Sequence, residues 1–442
     1  MSSTIVAVST ATVGAGGIGV VRMSGDESLR IAKEIFTKKG RAVETFAANY
    51  MTLGTVTVGD VKEKAFCVYF KAPLSFTGED VIEFHCHGGI AVLSAVVEEA
   101  VRRGAVPAAR GEFSRRAFLN GKMTLEECEG MIDMIEAEST AELLQASRLM
   151  RGELGKGADE AATLLVTAAS NLEAALDYPE EILEDMREES LPLISEAYRK
   201  VEDILATADK RRMVKEGAMI AIAGSPNAGK SSLLNALLKE DRAIVSSVPG
   251  TTRDVLRESM EYNGVRLNFV DTAGIRESGD VIEQEGVNRA KIAVRDSDLT
   301  LLVADIADFN AEEYGKLLNS VNGKLLKVGN KIDCGTTVDY PFDVTISAKT
   351  GEGVDALLQR ISEELDLNAI AGSAVVMRTR HIAALKRARD SIKEVLDGYG
   401  ELTSDCILVD LEDAAAALYE IQGKDVSAEV VDRVFERFCL GK

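Results

Sequence analysis

The sequence predicts a multidomain α/β protein: an N-terminal α/β domain, a helical domain, and a second α/β domain inserted into the helical one. Three observations carry this reading. The chain has 442 residues, too many for one hydrophobic core. Beyond residue 120 its texture changes from glycine-punctuated apolar runs to Ala, Leu, Glu and Met at helical spacing. From residue 216 to about 370 short apolar runs alternate with helical segments, and after Gly372 the helical, charge-rich texture returns.

Taken in order, residues 1–120 hold the strand-like runs TIVAV, GVVRM and KAFCVYF, with helical stretches near 26–36 and 90–103. From Leu125 to about Lys215 glycine is sparse, and only Pro179 and Pro192 break the helical pattern. Residues 216–370 run through MIAIAG, LNFVD, LTLLVAD, LLKVGN and VTISA, the pattern of a parallel sheet wrapped by helices. The domain plan is therefore 1–120, 121–215, 216–370 and 371–442. Similar helical sequence on both sides of 216–370 favours an insertion, with two separate flanking domains as the alternative.

Hydrophobic content of 46% supports packed cores, and a net charge of −21 excludes a protein-wide basic surface for nucleic acid or anionic lipid. Any RNA contact has to be local. The six cysteines lie at 67, 86, 128, 334, 406 and 439 with no CxxC pair, and no signal peptide or long apolar span is seen. These features point to a reduced, cytoplasmic protein with no membrane association.

Gly224-Ser225-Pro226-Asn227-Ala228-Gly229-Lys230-Ser231 fits GxxxxGK[ST] and lies between MIAIAG and the helical SLLNALL, the context such a phosphate loop requires. Glycines let backbone N–H groups close around phosphate oxygens, and the helix N-terminus adds a favourable dipole. Lys230 is expected to bridge the β- and γ-phosphates and Ser231, followed by Ser232, to ligate Mg²⁺. Asp271-Thr272-Ala273-Gly274 ends the strand LNFV, where the carboxylate can hold a metal-bound water and the Gly274 N–H can meet the γ-phosphate.

Asn330-Lys331-Ile332-Asp333 closes LLKVG, and Ser347-Ala348-Lys349 closes VTISA. A carboxylate at Asp333 accepts both guanine N1–H and the exocyclic amine, a donor pair that adenine lacks, while Ala348 N–H can read O6. Ser246-Ser247-Val248-Pro249-Gly250-Thr251-Thr252-Arg253-Asp254 stands where the first switch loop belongs, and Asn263-Gly264 marks a tight hairpin. Residues 216–370 thus read as a Ras-like P-loop GTPase domain. The glutamine that follows DxxG in Ras-type sites is replaced by Ile275, so hydrolysis needs another group, with Glu283, Glu285, Arg253 and Arg276 as candidates.

Pro-Asn-Ala-Gly-Lys-Ser, Gly-Thr-Thr-Arg-Asp, Asp-Thr-Ala-Gly-Ile-Arg and the ending Phe-Cys-Leu-Gly-Lys together resemble the tRNA-modification GTPase family MnmE, also called TrmE. The resemblance runs from TIVAVSTATVGAGGIGVVRMSG through SFTGEDVIEFHCHGG and ARGEFSRRAFLNGK to the last residue. It implies an N-terminal domain that binds a 5-formyl- or methylene-tetrahydrofolate and dimerises. It also implies a heterotetramer with the flavoprotein MnmG, which carries FAD on the partner and not on this chain. Together such proteins add an aminomethyl or carboxymethylaminomethyl group to carbon 5 of the wobble uridine of certain tRNAs.

By the same resemblance Asn227, Ser246, Val248 and Thr251 coordinate K⁺, and Ser231 and Thr252 bind Mg²⁺. Potassium replaces an arginine finger, a part worth about 10³ to 10⁵ in rate. Glu283 matches the water-orienting glutamate. Arg22, Glu83, Lys122 and Lys442 match folate contacts: a carboxylate suits the pterin's donors, and basic side chains suit the glutamate tail. Cys439 is implicated near the folate and tRNA chemistry, against the plainer reading of a packed small hydrophobe. A different class, a GTP-dependent assembly factor for RNA or ribosomal particles without modification activity, is the runner-up.

Other signals read as structural. Gly14 to Gly19 matches GxGxxG but is followed by β-rich GVVRM, where a dinucleotide fingerprint needs a helix. His85-Cys86-His87 alternates across a strand with no partner cluster to make a metal site. The densest basic clusters are Lys210-Arg211-Arg212 with Lys215, and Arg378 to His381 with Lys386, Arg387 and Arg389. They read first as solvated helix faces and second as places for tRNA phosphate.

Overall fold

The computed structural model describes residues 3–10, 16–177, 179–238, 258–271, 294–319, 321, 323–336, 338–372, 378–424, 426–439 and 441. The N-terminal part comprises β1 (Ile5–Val8), β2 (Gly16–Ser24), α1 (Ser28–Ile35), β3 (Phe36–Lys38), β4 (Arg41–Ala42), β5 (Thr52–Val58), β6 (Val61–Phe70), β7 (Val81–Gly88), α2 (Ile90–Arg102), β8 (Val106–Pro107) and α3 (Glu112–Leu119). Helices α4 (Leu125–Glu136), α5 (Thr140–Met150), α6 (Glu153–Asp177) and α7 (Pro179–Leu205) follow. Then come α8 (Arg211–Glu216), β9 (Ala218–Gly224), α9 (Lys230–Leu237), β10 (Glu258–Tyr262), β11 (Val265–Asp271), β12 (Leu299–Asp305), α10 (Ala311–Leu318), β13 (Leu325–Asn330), β14 (Val344–Ile346) and α11 (Val354–Leu365). The chain closes with α12 (Leu367–Gly372), α13 (Thr379–Gly398), α14 (Ser404–Gln422) and α15 (Ala428–Phe435). No helix among the described residues is long and apolar enough to cross a membrane.

The chain forms two compact units. One comprises Met1–Ile132, Leu149–Ala197 and Asp390–Lys442, and the other Asp133–Arg148 and Tyr198–Arg389. The second is thus an insertion, as the returning helical texture suggests. Residues 133–148, 198–215 and 371–389 fall in the unit that holds 216–370.

In the first unit an eight-stranded sheet has the order β4-β3-β5-β6-β7-β2-β1-β8, with only β1 and β8 parallel. Alternation along β7 sends Ile82, Phe84 and Cys86 into the core with Val21, Met23 and Cys67. Ile31 and Ile35 of α1 and Leu93 and Val96 of α2 cover that face. The opposite face carries Glu83 and His85. In the helical part α6 packs along α14.

The second unit has a six-stranded sheet of order β10-β11-β9-β12-β13-β14, parallel except for the edge strand β10. β9 has a partner on each side, so the loop after it lies where the strand order reverses, at the carboxyl ends of the strands. Asn263 and Gly264 join β10 to β11 with φ of 48° and 80°, the two left-handed residues of a two-residue hairpin, as the Asn-Gly pair predicts.

Candidate functional site

The phosphate loop links β9 to α9. Gly224 and Gly229 have φ of 148° and 92°, and each is hemmed in from a different strand. A Cβ on Gly224 would stand 2.1 Å from Val303 O of β12, and one on Gly229 would stand 2.3 Å from Asn330 Nδ2 of β13. Asn227, exposed at the bend, has φ of 64°. Lys230 is buried, and its ammonium donates to Gly224 O (3.0 Å) and Ser225 O (2.8 Å), within the loop it closes. Ser231 and Ser232 are exposed in the first turn of α9.

Three loops meet on Asn330. Its Nδ2 donates to Ala228 O of the phosphate loop (2.8 Å), while its Oδ1 accepts from Lys331 N (2.8 Å) and Ala348 N (3.0 Å). The side chain is 2% exposed, so these bonds are shielded from water. The Ala348 N–H, which can read guanine O6, also donates to Asn330 Oδ1, so O6 would share it.

Asp333 is exposed and accepts from Ser347 Oγ (2.7 Å), which steers the carboxylate while leaving lone pairs for two guanine donors. Lys331, with φ of 71°, donates from Nζ to Asp305 Oδ2 at 2.5 Å. Asp305 was not singled out from the sequence. Its signal is a carboxylate ending LTLLVAD, paired with Asn330 and two residues beyond Val303, the partner of Gly224.

Asp271 pairs with Ile222 at the end of β11. Ser246, Ser247, Val248, Pro249, Gly250, Thr251, Thr252, Arg253, Thr272, Ala273, Gly274, Arg276, Glu283, Glu285 and Lys442 lie outside the described residues.

In the first unit Arg22 and Glu83 stand opposite each other on β2 and β7, joined by Arg22 Nε to Glu83 Oε1 at 2.8 Å. The Arg22 guanidinium lies 5.4 and 5.7 Å from the ring centroids of Phe76 and Phe113. Glu83 Oε2 bonds His85 Nε2 (3.1 Å). Lys122 donates to Pro73 O (3.1 Å) and packs by Gly78, two residues from Phe76. The chain end returns here: Ser9 Oγ donates to Gly441 O (3.1 Å) at the end of β1, whose Ala7 pairs with Arg22. Cys439 is exposed, unlike the packed small hydrophobe of its plainer reading.

His85 and His87 face one way, on Glu83 and Glu63, with Cys86 buried on the other side. Burial pushes the Cys86 thiol up to about 12. Residues 16–24 form a strand, so no helix follows the GxGxxG stretch.

The basic cluster at 378–381 is not the solvated face expected of it. Arg378 makes a two-point pair with Asp133 (2.6 and 3.1 Å), and His381 is fully buried. Sequence proximity could not reveal that Asp133 would neutralise the arginine. Lys386 and Arg387 remain exposed.

Comparison with known proteins agrees along the whole chain. The family model described as the MnmE helical domain matches residues 125–439, and that of the GTP-binding protein TrmE N-terminus matches residues 4–122. The tRNA modification GTPase MnmE of Thermus thermophilus is 40% identical over 432 residues, 97% of each chain. That of Moorella thermoacetica is 37% identical over 464 aligned residues, 100% of each. Among solved structures, Aquifex aeolicus Era bound to GDP and aluminium fluoride is 26% identical, with 39% of this chain and 65% of that one covered and a TM-score of 0.27. With a family model spanning most of the chain and relatives alike from end to end, this chain belongs to the MnmE (TrmE) family of tRNA-modification GTPases.

Proposed function

We propose that this chain hydrolyses GTP to GDP and phosphate in a K⁺-dependent reaction. We further propose that it couples this to adding an aminomethyl or carboxymethylaminomethyl group at carbon 5 of the wobble uridine, with a folate one-carbon unit. The observation that carries the GTP reading is Asn330, which ties the phosphate loop to both guanine-reading loops through buried hydrogen bonds. Binding either end of the nucleotide therefore braces the other. Asp333 selects guanine, Lys230 and the loop amides hold phosphate, and Ser231 with Thr252 would hold Mg²⁺. Asn227 with Ser246, Val248 and Thr251 would hold K⁺, which supplies positive charge beside the phosphates. Glu283 is assigned to orienting the attacking water.

Arg22, Glu83, Lys122 and Lys442 are assigned to the folate. The fit is chemical: Glu83 keeps acceptor lone pairs beyond its bonds to Arg22 and His85, and two aromatic rings flank the Arg22 guanidinium. Cys439 is assigned to that chemistry, a reading supported by its exposure and its nearness in sequence to Gly441. The proposed assembly is a homodimer that joins an FAD-carrying flavoprotein and tRNA.

The test pairs two measurements on the full chain. Hydrolysis is expected to be far faster in K⁺ than in Na⁺, with Asn227→Ala losing that difference while still binding GDP. In cells without the protein, nucleoside mass spectrometry is expected to show wobble uridines lacking the carbon-5 group. Intact modification there would overturn the tRNA reading, and equal rates in the two salts would overturn the potassium site.

A further inference from the structure

The amino end of α5 precedes the phosphate loop by some eighty residues, yet it belongs to the same compact unit and grips the β10–β11 hairpin. Its local geometry is written in Ser139-Thr140-Ala141-Glu142, an S-x-x-E capping box. Glu142 N donates to Ser139 Oγ (3.3 Å), and Glu138 N donates to Glu142 Oε2 (3.2 Å). A helix start leaves its first N–H groups without partners inside the helix. Here the hairpin supplies two of them. Thr140 N donates to Glu261 Oε2 (3.3 Å) and Ala141 N to Gly264 O (2.8 Å), while Thr140 Oγ1 donates to Glu261 Oε1 (2.6 Å). Arg266 of β11 pairs with Glu138, and Ala141 is buried in the core of this unit. A carboxylate at a helix N-terminus also meets the positive end of its dipole.

The strand so held ends in the catalytic motif. β10 leads out of the segment containing Thr251 and Thr252, and β11 runs from the gripped turn to Asp271. β10 is an edge strand, so sliding of the hairpin is opposed by the β11–β9 ladder and by whatever holds its tip. A slip of one residue would carry Asp271 about 3.3 Å along the strand, ample to spoil a catalytic geometry. The groups that hold phosphate and guanine sit after β9, β13 and β14, and the hairpin tip meets that part of the unit through Asn263 Nδ2, which donates to Ser362 Oγ of α11 (2.9 Å) and is left in place by the variants below.

We infer that Thr140 is a positioning residue for GTP hydrolysis, acting with Glu261 to set the register of β11 and hence of Asp271. The inference rests on the GTPase reading above. Its test measures kcat for GTP hydrolysis and Kd for GDP in the full chain for Thr140→Val, Glu261→Ala, their double variant and Thr140→Ser. Each of the first two is expected to lose kcat by about five- to thirtyfold, the double variant no more than the worse single one. GDP affinity should stay within about twofold of wild type, and Thr140→Ser, which keeps the hydroxyl, should retain the wild-type rate. Unchanged kcat in the valine and alanine variants, or kcat and GDP affinity falling together, would overturn the inference while leaving the function intact. A wild-type chain that does not hydrolyse GTP would overturn both.

Discussion

Asn330 shows what a motif letter conceals. The pattern NKxD places it beside guanine, but its side chain spends its three bonds on the protein, joining loops that leave three different strands. The same residue explains Gly229, whose missing Cβ leaves room for the Asn330 amide. Glu126 is a different case, because no motif contains it. Its Oε2 accepts from Gly155 N at 2.9 Å at the start of α6, while Oε1 has no hydrogen-bond partner among the described residues. Burial pushes the carboxyl up from 4.5 to about 7, with the Gly155 and Leu154 amides opposing the shift. Between those values the folded chain holds a proton that the unfolded chain releases, so stability falls as pH rises through about 4.5 to 7 and levels off above. That window is worth about 3 kcal/mol. Glu126→Gln removes the ionisation, so its Tm is expected to match wild type near pH 5 and to exceed it near pH 8 by roughly 4–8 °C. A parallel pH profile for the two proteins would remove Glu126 as the cause.

At the scale of elements, strands and the hairpin were readable because their signals are local. Apolar runs, their alternation and Asn263-Gly264 each specify backbone geometry within a few residues. The prolines were harder. Pro179 and Pro192 read alike as helix breaks, but Pro179 is the first residue of α7 and Pro192 lies inside it. At a helix start the missing N–H costs nothing, whereas inside a helix it removes a bond and its ring crowds the preceding turn. α7 continues because Ile194, Ala197 and Val201 bury their side chains beyond the proline, a gain of tertiary packing that no local pattern reveals. Pro192→Ala is therefore expected to stabilise the protein by about 1–3 kcal/mol, read as a higher Tm. A lower Tm would mean that the packing around α7 requires the backbone shape Pro192 imposes. The S-x-x-E letters at Ser139 are local, but the docking of that helix start on a hairpin some 120 residues away leaves no mark in them.

At the scale of the molecule, the chain end closes on its beginning. Gly441, with φ of 89°, lies so near β1 that a Cβ there would stand 2.0 Å from Val8 O. The nucleotide loops belong to the other compact unit. Removal of residues 439–442 is thus expected to weaken tetrahydrofolate binding by at least tenfold while leaving kcat for GTP hydrolysis within about twofold. Loss of one charge-assisted contact accounts for a change of about that size. Calorimetric titration of the folate beside a phosphate-release assay checks both halves, and intact folate binding would dissociate the chain end from that site.

The sequence by itself determined the order of domains, the guanine-nucleotide loops, the hairpin and the family, because each rests on short stretches whose chemistry is local. Only the tertiary structure decided that residues 133–148 join the nucleotide-binding unit, that Asp133 takes Arg378 out of the basic surface, and that Asn330 faces the phosphate loop. Those outcomes depend on which distant groups can satisfy a buried charge or an unpaired amide. A hydrogen bond between residues a hundred positions apart leaves no period in the sequence.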